Sequence, residues 1–235
     1  MAGEGGLDRP MIADDRGDSG PQIGVLVVDD HDLFRTGLVT MLQAEAGIRV
    51  VAQASLGRMG VRLAQELRPS VVLMDLRMPD LDGIEATKTI VRNDPSARVI
   101  ALTVAMDEKD VAAAVLAGAC GYLVKDTPID DVVAAVRAAA LGDSWLSPRA
   151  ATALLDRMRR EYVEPSSEPV SRGELSPREL EILRLVARGM ENAQIAAELN
   201  ISPRTAKNHL SSILNKLGVA NRVQAAIFAV RSGLG

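Results

Sequence analysis

The sequence predicts a doubly wound α/β domain of five strand–helix units, followed by a smaller all-α domain of four helices. Three observations carry this. From Ile23 to Leu141, short runs of consecutive apolar residues alternate with amphipathic stretches. A segment rich in proline and serine then interrupts the pattern, and beyond it no strand-like run recurs.

Residues 1–21, rich in Gly, Asp and Pro without periodicity, read as a disordered tail. The strand runs are Val25–Val28, Val50–Ala52, Val71–Met74, Val99–Leu102 and Tyr122–Val124. Apolar residues on successive positions suit a parallel sheet buried on both faces. The helical patterns between them are Leu33–Ala44, Gly60–Leu67, Ile84–Val91, Asp110–Leu116 and Ile129–Leu141. This gives an α/β domain over 22–142. Ser147-Pro148 caps a further helix from Arg149 to about Tyr162, and Val163–Gly173 is a flexible linker, so that 143–173 joins the domains. In the C-terminal domain, 174–235, Ser176-Pro177-Arg178-Glu179 is a capping box opening a helix that ends near Gly189. Helices over Asn192–Leu199, from Ser202 to Leu217, and over Asn221–Arg231 follow.

The composition narrows the function. Only five aromatics occur, so aliphatic residues must build the cores. A single cysteine, Cys120, forms neither an internal disulfide nor a zinc site and fits a reducing compartment. No apolar run approaches the ~18 residues of a membrane span, and no secretory signal pattern is seen, so a soluble cytoplasmic protein without a membrane partner is expected. The net charge of −4 is unevenly spread: Arg172–Gly235 holds nine Lys and Arg against five Asp and Glu, leaving 18 against 26 elsewhere. A basic end on an acidic protein points that end toward nucleic acid.

Asp29 and Asp30 end the first strand, Asp75 the third and Lys125 the fifth, while Thr103 follows the fourth. All five reach the edge of the sheet at which such folds bind ligands. Singly, each reads as a turn residue or helix cap; together they form a reactive constellation. Three carboxylates held close favour a divalent cation, and hard oxygen ligands suit Mg²⁺. Asp75 is then a nucleophile able to form an aspartyl-phosphate, with Lys125 offsetting developing charge and the Thr103 hydroxyl donating to the phosphoryl group.

The stretches VVDDH at Val27–His31, VVLMDLRMPDLDG at Val71–Gly83, ALT at Ala101–Thr103 and GYLVKD at Gly121–Asp126 resemble the bacterial response-regulator receiver domain over residues 22–142. The resemblance implies a flavodoxin-like five-stranded parallel sheet. It implies Mg²⁺ held by Asp29, Asp30, Asp75 and the main-chain carbonyl of Arg77, phosphorylation of Asp75 by a histidine kinase, and Tyr122 as a rotating aromatic coupled to Thr103. Without the resemblance, Tyr122 is a half-buried strand residue. The sequence departs from the family pattern at Val104, where small residues are common, and at Arg77, a position that tunes phosphate lifetime.

On the helix running from Ser202, Ala206, Leu210, Ile213, Leu214 and Leu217 form a core stripe. Arg204, Lys207, Asn208, Ser211 and Asn215 form an opposite face without an acid, rich in donors for phosphates and base edges. Composition alone fits a solvated face as well as a DNA-reading one. LSPRELEILRLVARGM and IAAELNISPRTAKNHLSSILNKLGVANRVQAAIFAV resemble the LuxR-type helix-turn-helix domain, and with the receiver they resemble the NarL/FixJ class of response regulators. This implies groove contacts from Lys207, Asn208 and Ser211, and a phosphate contact from Thr205. Ala193 and Gln194 replace the usual Lys and Glu, and Ala206 the usual Val. His209 reads as a helix-face residue rather than a ligand.

One short recognition helix per chain favours paired half-sites on double-stranded DNA, hence a homodimer when phosphorylated. The stripe Val223, Ile227 and Val230 on the last helix serves either that dimer or the domain's own core. Other classes fit less well. An Asp-nucleophile phosphatase usually needs a second Asp at the position of Arg77, and no Gly-rich loop follows the first strand. A receiver never phosphorylated in the cell stays open. The expectation is a regulator of transcription rather than an enzyme.

Overall fold

The computed structural model describes residues 22–104, 107–146, 150, 154 and 175–234. Strands β1 (Ile23–Val28), β2 (Ile48–Ala54), β3 (Val71–Asp75), β4 (Val99–Thr103) and β5 (Gly121–Val124) alternate with helices. These are α1 (Asp32–Gln43), α2 (Gly57–Leu67), α3 (Gly83–Asn93), α4 (Glu108–Ala117) and α5 (Ile129–Leu141). Each predicted element of this domain is present, with its ends shifted by a few residues.

With β6 (Trp145–Leu146) at the edge, all strand pairs are parallel, in the order β2-β1-β3-β4-β5-β6. The order follows from the crossovers, because each helix returns the chain to the same end of the sheet. Val25 and Val27 pack with Leu38 and Leu42 of α1 and Val136 of α5. Their neighbours Leu26 and Val28 face the other way, toward Leu63 of α2 and Ile90 of α3. Both faces are covered, which is why the strand runs are apolar on consecutive positions.

The sheet has six strands rather than the expected five. β6 (Trp145–Leu146) pairs with β5, Gly121 opposite Trp145 and Tyr122 opposite Leu146. Gly142, at φ 89°, ends α5 in the left-handed region and turns the chain back along the open edge of β5. Two residues are too few to show a strand period. The expected tail (1–21) and flexible linker (163–173) lie outside the described residues. So does most of the expected helix from Arg149, of which Ala150 and Leu154 are described as helical and buried beside α4.

The C-terminal domain comprises α6 (Pro177–Ala187), α7 (Asn192–Leu199), α8 (Pro203–Leu217) and α9 (Arg222–Arg231). The capping box at Ser176 and Glu179 is formed, and Ser202 caps α8 through the backbone N–H of Thr205. The five residues of the predicted α8 stripe are buried with Ile182, Leu183, Val186 and Ile195 in a core of this domain's own. Of the two readings of the stripe Val223, Ile227 and Val230, the domain core is not the one the described packing gives. Ala225 and Ala229 enter the core, Val223 packs beside the α4 cluster, and Val230 is 57% exposed. Phe228 packs against the same core, while Val230 is turned outward.

Candidate phosphoacceptor pocket and nucleic-acid interface

The chain runs from β1 outward to β2, then crosses back to β3 on the far side of β1. A crevice results at the carboxyl ends of β1 and β3. Asp29 and Asp30 follow β1 there, and Asp75 is the last residue of β3. Thr103 belongs to β4 rather than following it, paired with Val124, because the ladder continues one residue past the apolar run. Lys125 follows β5, its N–H donating to the Thr103 carbonyl at 2.7 Å.

Asp29, Asp30, Asp75 and Lys125 come together, and Thr103 ends the neighbouring strand at the same edge. Lys125 Nζ lies 2.7 Å from Asp29 Oδ2 and 2.8 Å from Asp75 Oδ2, so one cation bridges two buried carboxylates. The Arg77 N–H donates to Asp75 Oδ1 at 3.1 Å, which brings its peptide against the pocket. Burial pushes the Asp75 carboxyl above its ordinary range; the Lys125 and Arg77 donors act the other way, and Asp29 adds repulsion. Ligand atoms of Asp29, Asp30, Asp75 and His31 lie within 4.8 Å of one another. Three clustered carboxylates are a hard-oxygen donor set that fits a small divalent cation. His31 was not anticipated as a member; its Nδ1 lies 2.8 Å from Asp30 Oδ1.

Thr103 is 3% exposed and Tyr122 fully buried, not half-buried. Burial raises the Tyr122 phenol, the Asp110 carboxylate adds to this, and the neighbouring Thr103 opposes it. Val104 stands 67% exposed beside Thr103. The Arg77 side chain reaches α4, pairing with Asp110 at 2.6 Å. Asp80, unremarked in the sequence, caps α2 across 23 positions: its carboxylate accepts from Gly57 N–H at 2.8 Å and Arg58 N–H at 3.0 Å.

On α8, Arg204, Asn208 and Asn215 are exposed, and Thr205, Lys207 and Ser211 half-buried. The face is continuous, but its centre is covered. Lys207 Nζ donates to the Ala140 carbonyl at 2.8 Å, at the carboxyl end of α5 where exposed carbonyls attract cations. Burial lowers the Lys207 pKa, and the Arg98 charge adds to it. Gln194, where a Glu is usual, accepts from the Glu191 N–H at 2.9 Å and so caps α7.

Two further contacts hold the helical domain against the α/β domain. The Asp143 carboxylate pairs with Arg222 and accepts from the Asn192 N–H at 3.1 Å, all three residues being buried. Asn221 Nδ2 donates to the Val115 and Ala119 carbonyls at 3.1 and 3.0 Å, and Gln224 Nε2 to Val115 at 2.9 Å, tying α9 to the end of α4. These residues carry no motif in the sequence, since each acts on a partner dozens of positions away. A buried-looking Asn or Asp in a helix cap gives no sign of a second partner.

Comparison with known proteins agrees with this architecture. The response regulator receiver domain family matches residues 25–137, and the family of bacterial regulatory proteins of the luxR type matches 173–229. The transcriptional regulatory protein LiaR of Bacillus subtilis is 42% identical over 212 residues, covering 90% of this chain and 99% of its own. The response regulator protein VraR of Staphylococcus aureus is 38% identical over 214 residues, covering 90% and 98%. Among solved structures, ChrA, a response regulator of a heme-sensing two-component system, is 40% identical over 92% of this chain and 100% of its own, with TM-score 0.50. RcsB in complex with DNA is 28% identical over 90% and 98%, with TM-score 0.53. The chain therefore belongs to the two-component response regulators that join a receiver domain to a LuxR-type DNA-binding domain and regulate transcription.

Proposed function

We propose that Asp75 accepts a phosphoryl group from a histidine kinase and that this event frees α8 to read double-stranded DNA. The observation that carries the reading is the buried Asp75 carboxylate held between the Lys125 amine and the Arg77 N–H. These contacts orient the nucleophile. Attack of an Asp75 oxygen on phosphorus forms the acyl phosphate as the P–N bond to the kinase imidazole breaks, and the imidazole takes up a proton. Lys125 stays beside the new charge, and Thr103 and Tyr122 would sense it. Mg²⁺, held by Asp29, Asp30, Asp75 and the Arg77 carbonyl, would supply further charge neutralisation.

Arg204, Thr205, Lys207, Asn208, Ser211 and Asn215 are the proposed DNA contacts, with Lys207, Asn208 and Ser211 in the groove. Docking Lys207 on α5 supports a resting state that binds DNA weakly. The proposed boundaries are 22–142 for the receiver and 174–235 for the DNA-binding domain, with 143–173 between them. The phosphorylated form is proposed to be a homodimer acting in the cytoplasm, where its DNA is. The surfaces of Ile227 and Val230 left outside the domain core support α9 as a contact. Among the described residues no helix is long and apolar enough to cross a membrane.

Acetyl phosphate with Mg²⁺ should label the wild-type protein in an alkali-labile bond and leave Asp75→Ala unlabelled. Undiminished labelling of the variant would exclude Asp75, and labelling without a divalent metal would exclude the Mg²⁺ role.

A further inference from the structure

At the edge of the sheet opposite Asp75, a cleft of about 1090 Å³ opens between the receiver and α8. Its walls carry four cations: Arg68, Arg98 and Arg137 from the receiver and Lys207 from α8. Asp94 is the one carboxylate among the lining residues, and it accepts from the Ser96 N–H and hydroxyl at 2.9 and 2.6 Å. Arg137 is paired with Glu45 at 3.3 Å. Arg68 and Arg98 have no ion pair among the described residues.

Arg98 is the informative member. It is 8% exposed, and its Nε has no acceptor among the described residues. Its position is fixed, since its carbonyl accepts from the Val72 N–H at 2.8 Å at the foot of the sheet. A buried guanidinium is costly unless an anion or acceptor meets it, and its planar fork suits oxyanions. Arg68 adds a second guanidinium to the lining. It closes α2 with φ 44°, in the left-handed region where Gly or Asn is usual, and its exposed side chain lines the same cleft.

We propose that this cleft binds a small, multiply charged oxyanion, a phosphate ester or polyphosphate, gripped by Arg98 and Arg68 from one side and by Lys207 and Ser211 from the other. Because the residues come from both domains, the anion binds the docked arrangement better than the separated one and favours it. It therefore acts as an effector that lowers DNA affinity; that consequence, unlike the binding itself, rests on the reading that α8 contacts DNA.

Calorimetry on the full chain in metal-free buffer, at constant ionic strength set with NaCl, tests the site with inorganic phosphate, pyrophosphate and ATP as probes. The expected result is saturable binding of one anion per chain. Preference for pyrophosphate over ATP would identify a free phosphate chain, and the reverse a phosphate ester. Arg98→Gln should weaken binding about tenfold or more, and Arg98→Lys less. Arg68→Gly provides a variant that relieves backbone strain: its thermal midpoint should hold or rise while anion affinity falls. No saturable binding of any probe, or unchanged affinity in both Arg98→Gln and Arg68→Gly, would overturn the proposal. Saturable binding without any loss of DNA affinity beyond that of Arg98→Gln under the same titration would retain the site and overturn the coupling.

Discussion

Gly83 begins α3 directly beneath the strand that carries Asp75, and a β-carbon there would lie 1.9 Å from the Asp75 carbonyl oxygen and 2.7 Å from Leu76 Cα. Both are backbone atoms that cannot swing aside. Gly83→Ala should therefore cost about 1–3 kcal/mol or more of stability by overpacking, measured by urea denaturation, and should slow Asp75 labelling. Glu179 shows another close constraint. It is buried, accepting from Lys216, the Ser176 N–H and the Ser212 hydroxyl, each at 2.7 Å. The Lys216 contact leads in holding its carboxyl at about 2, below the ordinary 4.5. A depressed carboxyl contributes stability fully above pH 4.5, and the contribution fades as pH falls toward 2. Glu179→Gln should lose about 1–3 kcal/mol at pH 7, and its deficit against wild type should shrink through that acid window in denaturant titrations. The sequence showed Glu179 only as a capping-box partner, because its bonds to Ser212 and Lys216 belong to the tertiary fold. The pocket residues were legible for the opposite reason: each stands at the end of an apolar run, so chain order alone places it at one edge.

At the scale of elements, periodicity located the helices and strands, whereas contacts between distant elements left no periodic trace. β6 is too short to have a period. The first turn of α2 is capped by Asp80, beyond the next strand, and Leu56 before it supplies no side-chain cap. The stripe on α8 was legible because five apolar residues at helical spacing all enter one core. The polar face of α8 carries the proposed DNA contacts. In the helical domain alone, where the Lys207–Ala140 docking contact is absent, Lys207→Ala should weaken DNA binding by about 1–3 kcal/mol, with relaxed preference at one position if the amine reads a base. A uniform loss across sequences, with the salt slope reduced by about one, would mark a phosphate contact instead. Fluorescence anisotropy with operator and random duplexes over a salt series separates the two. Val223, Ile227 and Val230 share one face by helical spacing, yet the alanines on the adjacent face take the core. Periodicity finds an apolar face but does not say which of two neighbouring faces is covered.

Among the described residues of the whole molecule, the two domains meet across polar contacts, with Val223 and Ala220 also packed against the receiver. Asp143, Arg222 and Asn192 form the buried centre of that junction, and Lys207 and Asn221 flank it. Removing one partner of a buried ion pair costs about 3–5 kcal/mol. Asp143→Ala should accordingly release the helical domain without phosphorylation: scattering should report a more extended particle, and DNA affinity should rise about tenfold or more. A particle of unchanged dimensions and affinity would show that the junction does not restrain α8. The junction also has a consequence for gene dosage. Docking is intramolecular, so the fraction of closed chains is the same at ten copies per cell as at ten thousand, whereas pairing on DNA grows with the number of chains. The same Lys207 amine cannot serve α5 and a duplex at once. A cell that accumulates this regulator would thus outrun its own restraint, and overexpression would imitate the stimulus even in a strain lacking the kinase.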